Sequence, residues 1–148
     1  YLEQVVRYVN AHLAPLGESE LTSSMVSNYV KQGLIPSPIK KAYTAEHLAR
    51  LLFIAVVKPV VRLEGLRLMF GVQEDNYPLQ TAYDYFCDEF ENMLGAAFGI
   101  APARDGIGET QSDAKDLLRN TILATVNKVY LDRYLEDYQK RREKEIHR

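Results

Sequence analysis

The chain has 148 residues, of which 47% are hydrophobic, enough for one ordinary domain or for a small domain with an appended helical element. Its formal net charge of -2 argues against a protein that is basic over its whole surface. The single cysteine, Cys87, excludes an intrachain disulfide and a paired-cysteine metal site. No signal peptide is visible and the longest apolar run, Leu51 to Val57, is too short to span a bilayer, so we expect a soluble cytoplasmic protein without membrane contact.

The first predicted helix runs from Leu2 to Leu13 and ends before Pro15 and Gly17. Its apolar residues recur every three or four positions and are Leu2, Val5, Val6, Val9 and Leu13. We expect this face to pack on the rest of the chain.

The second predicted helix, from about Ser23 to Gln32, has two different faces. Thr22 is placed to cap its start, and Gly33 can take the left-handed conformation that lets Leu34 fold back on the helix. One face is apolar and consists of Met25, Val26, Tyr29 and Val30. The other face is polar, has no acid and consists of Ser24, Ser27, Asn28 and Lys31. The pattern indicates one buried side and one side available to a partner.

Two more short helices complete a predicted N-terminal module, residues 1–76. Thr44 caps the third helix and Pro59 ends it, and its candidates for burial are Leu48, Leu51, Leu52, Ala55 and Val56. The fourth helix lies near Glu64 and is predicted to end at Gly71, with Leu63, Leu66, Met69 and Phe70 as its apolar residues.

Residues 77–148 are predicted to form a helical C-terminal region. An aromatic helix follows Pro78, and its apolar residues are Leu79, Tyr83, Phe86, Phe90, Met93, Leu94 and Ala97. This face either packs on the last helix or lines a ligand pocket. The segment Gly99 to Gly108 is predicted to be a connector.

The last predicted helix begins at Asp113 and continues at least to Tyr138, and we expect the charged end of the chain to fray. At about 1.5 Å per residue this helix is roughly 40 Å long, more than a small module covers, so we expect a homodimer. The predicted dimerisation stripe consists of Leu118, Ile122, Val126, Val129 and Tyr130.

Basic residues concentrate around the second helix. From Thr22 to Arg62 there are six basic residues and one acid, Glu46, so this segment carries a net charge of +5 and the rest of the chain carries -7. Proteins that dock a helix on DNA use such local charge, whatever their total charge. The acid-free helix face lies within this basic segment.

The polar face of the second helix has the chemistry of a DNA contact. Asn28 can pair bidentately with adenine, and Ser24 and Ser27 can reach a base or a phosphate. The candidate phosphate contacts are Lys31, Lys40 and Lys41. The alternative is an ordinary solvated face beside a turn. Tyr29 and Tyr43 are further candidates, and each has a core-packing alternative.

Catalysis finds little support in the sequence. His12, His47 and His147 are scattered over different elements without metal-ligand spacing, and we expect them at the surface. No phosphate loop or nucleophile motif is present. We therefore expect no enzyme activity, no metal and no cofactor.

The order of these features resembles a MerR-type winged helix-turn-helix over residues 21–71. In that family a recognition helix ending in Gly-Leu-Leu precedes a basic wing with a tyrosine and then two helices. The corresponding landmarks here are Leu21-Thr22, Gly33-Leu34-Ile35-Pro36, Tyr43 and Leu63-Glu64-Gly65-Leu66. The family's usual Leu-Arg-Tyr-Tyr-Glu reads Val-Ser-Asn-Tyr-Val here, so Ser27 stands where the DNA-contacting arginine is common.

The whole chain resembles more closely a bacterial family of MerR-like proteins, the domain of unknown function numbered 1836. The stretches YLEQVVRYVN, LTSSMVSNYVKQGLIPSPIKKAYTAEHLA and LLFIAVVK carry this likeness. The MerR resemblance implies an all-α fold, with at most a minimal β wing, and pairing of two copies through the C-terminal helices. It also implies that a small-molecule effector can bind in the C-terminal region.

The sequence as a whole thus predicts a homodimeric transcriptional regulator that binds double-stranded DNA. The alternative is a protein-interaction module that has the same fold and does not bind DNA. The absent recognition arginine and the negative total charge motivate that alternative.

Overall fold

The computed structural model describes residues 1–17, 20–100, 102 and 112–147. Within these ranges the chain forms six α-helices, one short 3₁₀ segment at Ala14–Leu16 and no β-strand, so the fold is all-α as predicted. The helices are α1 (Leu2–Leu13), α2 (Ser23–Lys31), α3 (Ala45–Val57), α4 (Leu63–Asn76), α5 (Leu79–Ala97) and α6 (Asp113–Ile146). The predicted connector between α5 and α6 lies largely outside the described residues. None of the described helices is both long and apolar enough to cross a bilayer.

All six helices contribute side chains to one hydrophobic core. α1 packs on α3 and α2, while α6 lies along α5 and also contacts α4 and α3. The predicted boundary at residue 76 coincides with the end of α4. The buried core is nevertheless continuous across that boundary, and its members include Val9, Val26, Leu51, Ile54, Leu66, Phe86, Phe90, Ile122 and Val126.

The predicted end of the fourth helix is wrong. α4 does not stop at Gly71 but continues to Asn76. Glu74, beyond the glycine, is held by Arg50 of α3 at 3.0 Å, and one glycine inside a helix costs only about 1 kcal/mol. Pro78 then disfavours a helical conformation at the preceding residue. α6 continues to Ile146, in agreement with the prediction that the last helix reaches at least Tyr138.

Pairs of charged side chains four residues apart support the C-terminal part of α6. Lys140 donates to Glu136 at 3.2 Å, and Lys128 pairs with Asp132 in the same way. Such pairs stabilise a solvated helix by a few tenths of a kcal/mol each, about 0.2–0.5. The helix therefore extends beyond the part that the rest of the chain covers.

The predicted dimerisation stripe of α6 is mostly intrachain packing, which corrects the sequence interpretation. Ile122 and Val126 are fully buried in the core, and Leu118 and Val129 are half-buried. Tyr130 is 43% exposed and lies edge-on to Phe98, with ring centroids 5.2 Å apart. The spacing of apolar residues correctly predicted which face of α6 is buried. That face packs against the same chain rather than against a second copy.

Candidate nucleic-acid interface

Both ends of α2 are set by the residues that the sequence indicated. The Thr22 hydroxyl accepts a hydrogen bond from the Met25 amide at 3.2 Å, which caps the start. Gly33 has a φ of 73°, its amide donates to the Val30 carbonyl at 3.0 Å, and the Leu34 amide donates to the Tyr29 carbonyl at 2.9 Å. These two bonds form a Schellman motif, which ends the helix sharply.

The inner face of α2 belongs to the core. Val26 is fully buried and Tyr29 is only 4% exposed, with Leu34 and Ile35 buried behind them. Burial raises the pKa of the Tyr29 hydroxyl. Of the two interpretations of Tyr29, the structure supports core packing.

The outer face of α2 is free for a partner. Ser24, Ser27, Asn28 and Lys31 are all exposed. Their side chains have no hydrogen-bond or ion-pair partner within the described ranges. Four adjacent polar side chains with unused hydrogen-bonding capacity therefore line one side of a short helix.

Asn10 of α1 holds the chain that leads into α2. Its side-chain amide donates to the Leu21 carbonyl at 2.9 Å and accepts from the Leu21 amide at 2.7 Å. These two bonds resemble those between paired β-strands. They satisfy the backbone N–H and C=O groups of Leu21, which is buried. The position of α2 on α1 is therefore fixed one residue before the helix cap.

Arg50 of α3 holds the other end of α2. It is 8% exposed, donates to the Leu34 carbonyl at 3.2 Å and to Glu74 of α4 at 3.0 Å, and lies over the Phe70 ring at 4.9 Å. Glu46 lies 3.5 Å from its Nε. The local charge of +5 thus includes one arginine that is internally neutralised and structural.

Arg67 of α4 adds a second contact at that end. One of its guanidinium nitrogens, Nη2, donates to the Gln32 carbonyl at 2.7 Å and to the Gln32 side chain at 3.0 Å. A cation at a helix C-terminus is favourable because the last carbonyls carry partial negative charge. α1, α3 and α4 together clamp both ends of α2.

A two-residue turn places Lys40 and Lys41 at its tip. Ile39 and Ala42 form an isolated antiparallel bridge, and the Ala42 amide donates to the Ile39 carbonyl at 2.9 Å. Lys40 and Lys41 have φ values of 52° and 65°, and positive φ at both central positions is the signature of a type I′ hairpin turn. Both lysines are exposed. This bridge is the only β element in the described part of the chain.

His47 ties this turn to α3, and the prediction that it lies at the surface is wrong. It is 4% exposed, its Nδ1 accepts from the Thr44 amide at 3.0 Å, and its Nε2 lies 3.0 Å from the Pro36 carbonyl. Because Nδ1 accepts, the proton is on Nε2, which donates to Pro36. Tyr43 is half-buried and packs edge-on against His47, with ring centroids 5.1 Å apart.

The turn between α3 and α4 brings two more cations to α2. Ser24 and Asn28 line a shallow groove together with Lys58 and Arg62. Arg62 is exposed, whereas Lys58 is half-buried and its ammonium lies 4.0 Å from the Met25 sulfur. Partial burial lowers the pKa of Lys58. The groove thus joins the polar face of α2 to a basic rim.

Sequence reasoning missed the four side chains that position the interface: Asn10, His47, Arg50 and Arg67. Each acts on a residue at least eleven positions away, so no local pattern identifies it. The only available signal was a polar residue interrupting an apolar face. His47 and Arg50 occupy such positions in α3.

Among the residues that the structure describes, the other chemically notable side chains form no reactive cluster. Burial raises the pKa of the Cys87 thiol, which makes it a poor nucleophile, and raises the pKa of neighbouring Tyr83 to about 12. His12 and His147 are exposed. The described residues contain no group of three side chains suited to hold a metal ion.

The chain matches the profile of a protein family. A family profile described as Domain of unknown function (DUF1836) matches residues 1–86, which include α1 to α4 and the beginning of α5. No curated protein and no solved structure matches the chain significantly.

Proposed function

We propose that this chain, which belongs to the DUF1836 family, is a transcriptional regulator that binds double-stranded DNA by placing α2 in the major groove. One observation carries the proposal. α2 is clamped at both ends by side chains of three other helices, yet its outer face has four exposed polar side chains without internal partners. A rigid helix with unused hydrogen-bonding groups suits the reading of base edges.

The residues around α2 divide into two roles. Asn28 is proposed to read adenine, with Ser24 and Ser27 contacting neighbouring bases or phosphates. The basic residues meet phosphates and supply most of the affinity; they are Lys31, Lys40, Lys41, Lys58 and Arg62. With no arginine on the outer face of α2, we expect weak sequence preference and strong dependence on salt.

We further propose that the module is a MerR-like winged helix-turn-helix. The type I′ turn with its two lysines supports a minimal wing. The connection between α1 and α2, residues 14–22, is longer than the turn of about three or four residues in most helix-turn-helix motifs. The paired bonds between Asn10 and Leu21 provide the rigidity that a shorter turn supplies elsewhere.

Binding to mixed genomic DNA fragments over a salt series tests the proposal. We expect the slope of log affinity against log salt to fall by roughly 0.9 for each of the substitutions Lys31→Ala, Lys40→Ala and Lys41→Ala that removes a phosphate contact. Lys140→Ala removes the same charge from the exposed part of α6 and is the matched control, with an unchanged slope. Absence of binding by the wild type at low salt would refute the proposal.

A protein-interaction module is the second candidate. The net charge of -2 and Ser27 in place of the family arginine favour it, and so does a row of exposed apolar side chains in the second half of α6. The salt series decides between the two candidates, because a module that only binds protein is not retained on DNA at any salt concentration.

A further inference from the structure

A cavity of about 270 Å³ lies between α3, α4, α5 and α6. Its walls are mostly apolar and include the rings of Phe53, Phe70 and Phe86. Phe53 meets Phe70 and Phe86 edge-on, with centroid distances of 5.7 and 4.9 Å. Aromatic walls in this arrangement present ring faces and edges that suit a flat aromatic guest.

One hydrogen-bond acceptor at the wall of the cavity, on the side chain of Gln73, lacks a donor within the described structure. The side chain of Gln73 donates through Nε2 to the Tyr77 carbonyl at 2.9 Å, while its Oε1 is buried with no hydrogen bond within the described structure. A buried carbonyl oxygen without a donor is unfavourable, and a ligand that supplies an N–H or O–H group relieves that cost. The cavity thus has mostly apolar walls and one hydrogen-bond acceptor, Gln73 Oε1, without a donor.

We propose that this cavity binds a small, flat, mainly apolar aromatic molecule whose single N–H or O–H group donates to Gln73 Oε1. The volume admits a one- or two-ring compound, since a cavity of about 150 Å³ already binds benzene. The mostly apolar walls favour a neutral guest, because the desolvation of a charge is poorly repaid against them.

Ligand binding at this cavity reaches α2 through Arg50. Arg50 lines the cavity, stacks on the wall residue Phe70 and donates to the carbonyl of Leu34, the residue that closes the Schellman motif of α2. A guest that shifts Phe70 therefore shifts the guanidinium that holds the end of α2. This regulatory part rests on the proposed DNA-binding function, whereas the binding of the ligand does not.

Indole and benzofuran are suitable probes because they have nearly the same shape and only indole carries an N–H donor. The chain has no tryptophan, so indole fluorescence is excited selectively at wavelengths longer than those its tyrosines absorb. We expect indole to bind about three- to tenfold more tightly than benzofuran, the ratio of one net hydrogen bond. Equal affinities, or no binding of either probe, would overturn the proposal.

Variants locate the bound probe. Gln73→Leu removes the acceptor and is expected to equalise the two affinities, while Ala82→Leu fills the cavity and is expected to abolish binding of both. Ala124→Leu makes the same change at an exposed position on α6 and leaves binding intact. If Ala82→Leu does not fold in a thermal melt, Ala114→Leu fills the cavity from α6 instead. Wild-type affinity in a folded filled variant would contradict this location.

The same probes separate the two proposals. If indole binds in the cavity and changes the affinity for DNA, both stand. If indole binds but the protein is never retained on DNA, the DNA function fails and the ligand site stands. If DNA binds and indole does not, only the ligand site fails.

Discussion

Lys40 and Lys41 have positive φ angles, a backbone conformation that is unfavourable for residues with a Cβ atom. Each positive φ costs a non-glycine residue about 1 kcal/mol, and the type I′ turn prefers Asn-Gly at these two positions. Strained residues persist where their side chains serve a purpose that the preferred residues cannot serve. Two exposed lysines in place of Asn-Gly put positive charge at the tip, which supports the proposed phosphate contact.

The double substitution Lys40→Asn with Lys41→Gly separates stability from charge at this turn. We expect the free energy of unfolding to rise by up to about 1 kcal/mol as the strain is relieved, while the affinity for DNA falls. Urea denaturation and a DNA titration measure the two effects. Lys40→Ala with Lys41→Ala removes the same charges but keeps both Cβ atoms, so it should weaken DNA binding without the gain in stability. If the Asn-Gly variant is less stable than the wild type, the backbone of the wild-type turn is not strained.

At the scale of single elements, α2 is specified at both ends by local signals. The Thr22 cap and the left-handed Gly33 involve bonds to residues at most five positions away, so the sequence alone predicted both. The fourth helix shows the opposite case. Gly71 resembles a stop signal, but α4 continues past it to Asn76, and the ion pair between Arg50 and Glu74 holds this last turn against α3.

The same substitution at two glycines should therefore have opposite effects. Gly33→Ala forces a Cβ into the left-handed region and is expected to lower the free energy of unfolding by about 1–2 kcal/mol. Gly71 lies inside α4, where an added Cβ meets nothing within 4 Å. Gly71→Ala is therefore expected to raise the free energy of unfolding by about 0.5–1 kcal/mol. Denaturant midpoints measure both changes. Changes of the same sign would show that one of the two backbone assignments is wrong.

At the scale of the whole molecule, the second half of α6 projects beyond the core. Its row of large apolar side chains is about half exposed, and it consists of Leu131, Tyr134, Leu135 and Tyr138. Apolar residues at this spacing on a solvated helix mark a contact with another protein surface. We propose that two copies pair through this row, further along α6 than the stripe first assigned to dimerisation.

Leu131→Glu with Leu135→Glu tests this pairing. Charges at the centre of the row are expected to make the protein a monomer at micromolar concentration, because burying them against a second copy is unfavourable. Light scattering or sedimentation measures the mass. Lys140→Glu places an acid on the opposite side of the same helix and should leave the dimer intact. A monomeric wild type would refute the dimer.

The sequence by itself determined the helical class, the ends of α2 and the separation of its apolar and polar faces. Each of these depends on side-chain spacing and on hydrogen bonds that close within about one helical turn. The polar face was predicted from Ser24, Ser27, Asn28 and Lys31, and all four are exposed. That part of the candidate site was therefore accessible without coordinates.

Only the tertiary structure decided what holds α2 and what remains uncovered. Arg50 was counted only as one cation of the basic segment, and it is buried and holds the end of α2. His47 was expected at the surface and is buried, and the apolar stripe of α6 is covered by its own chain. The sequence left open whether the aromatic face of α5 packs on α6 or lines a pocket, and the structure shows a cavity there that α3, α4 and α6 close. These features arise from contacts between residues far apart in the chain, and the free energy of such contacts depends on packing geometry that local periodicity does not contain.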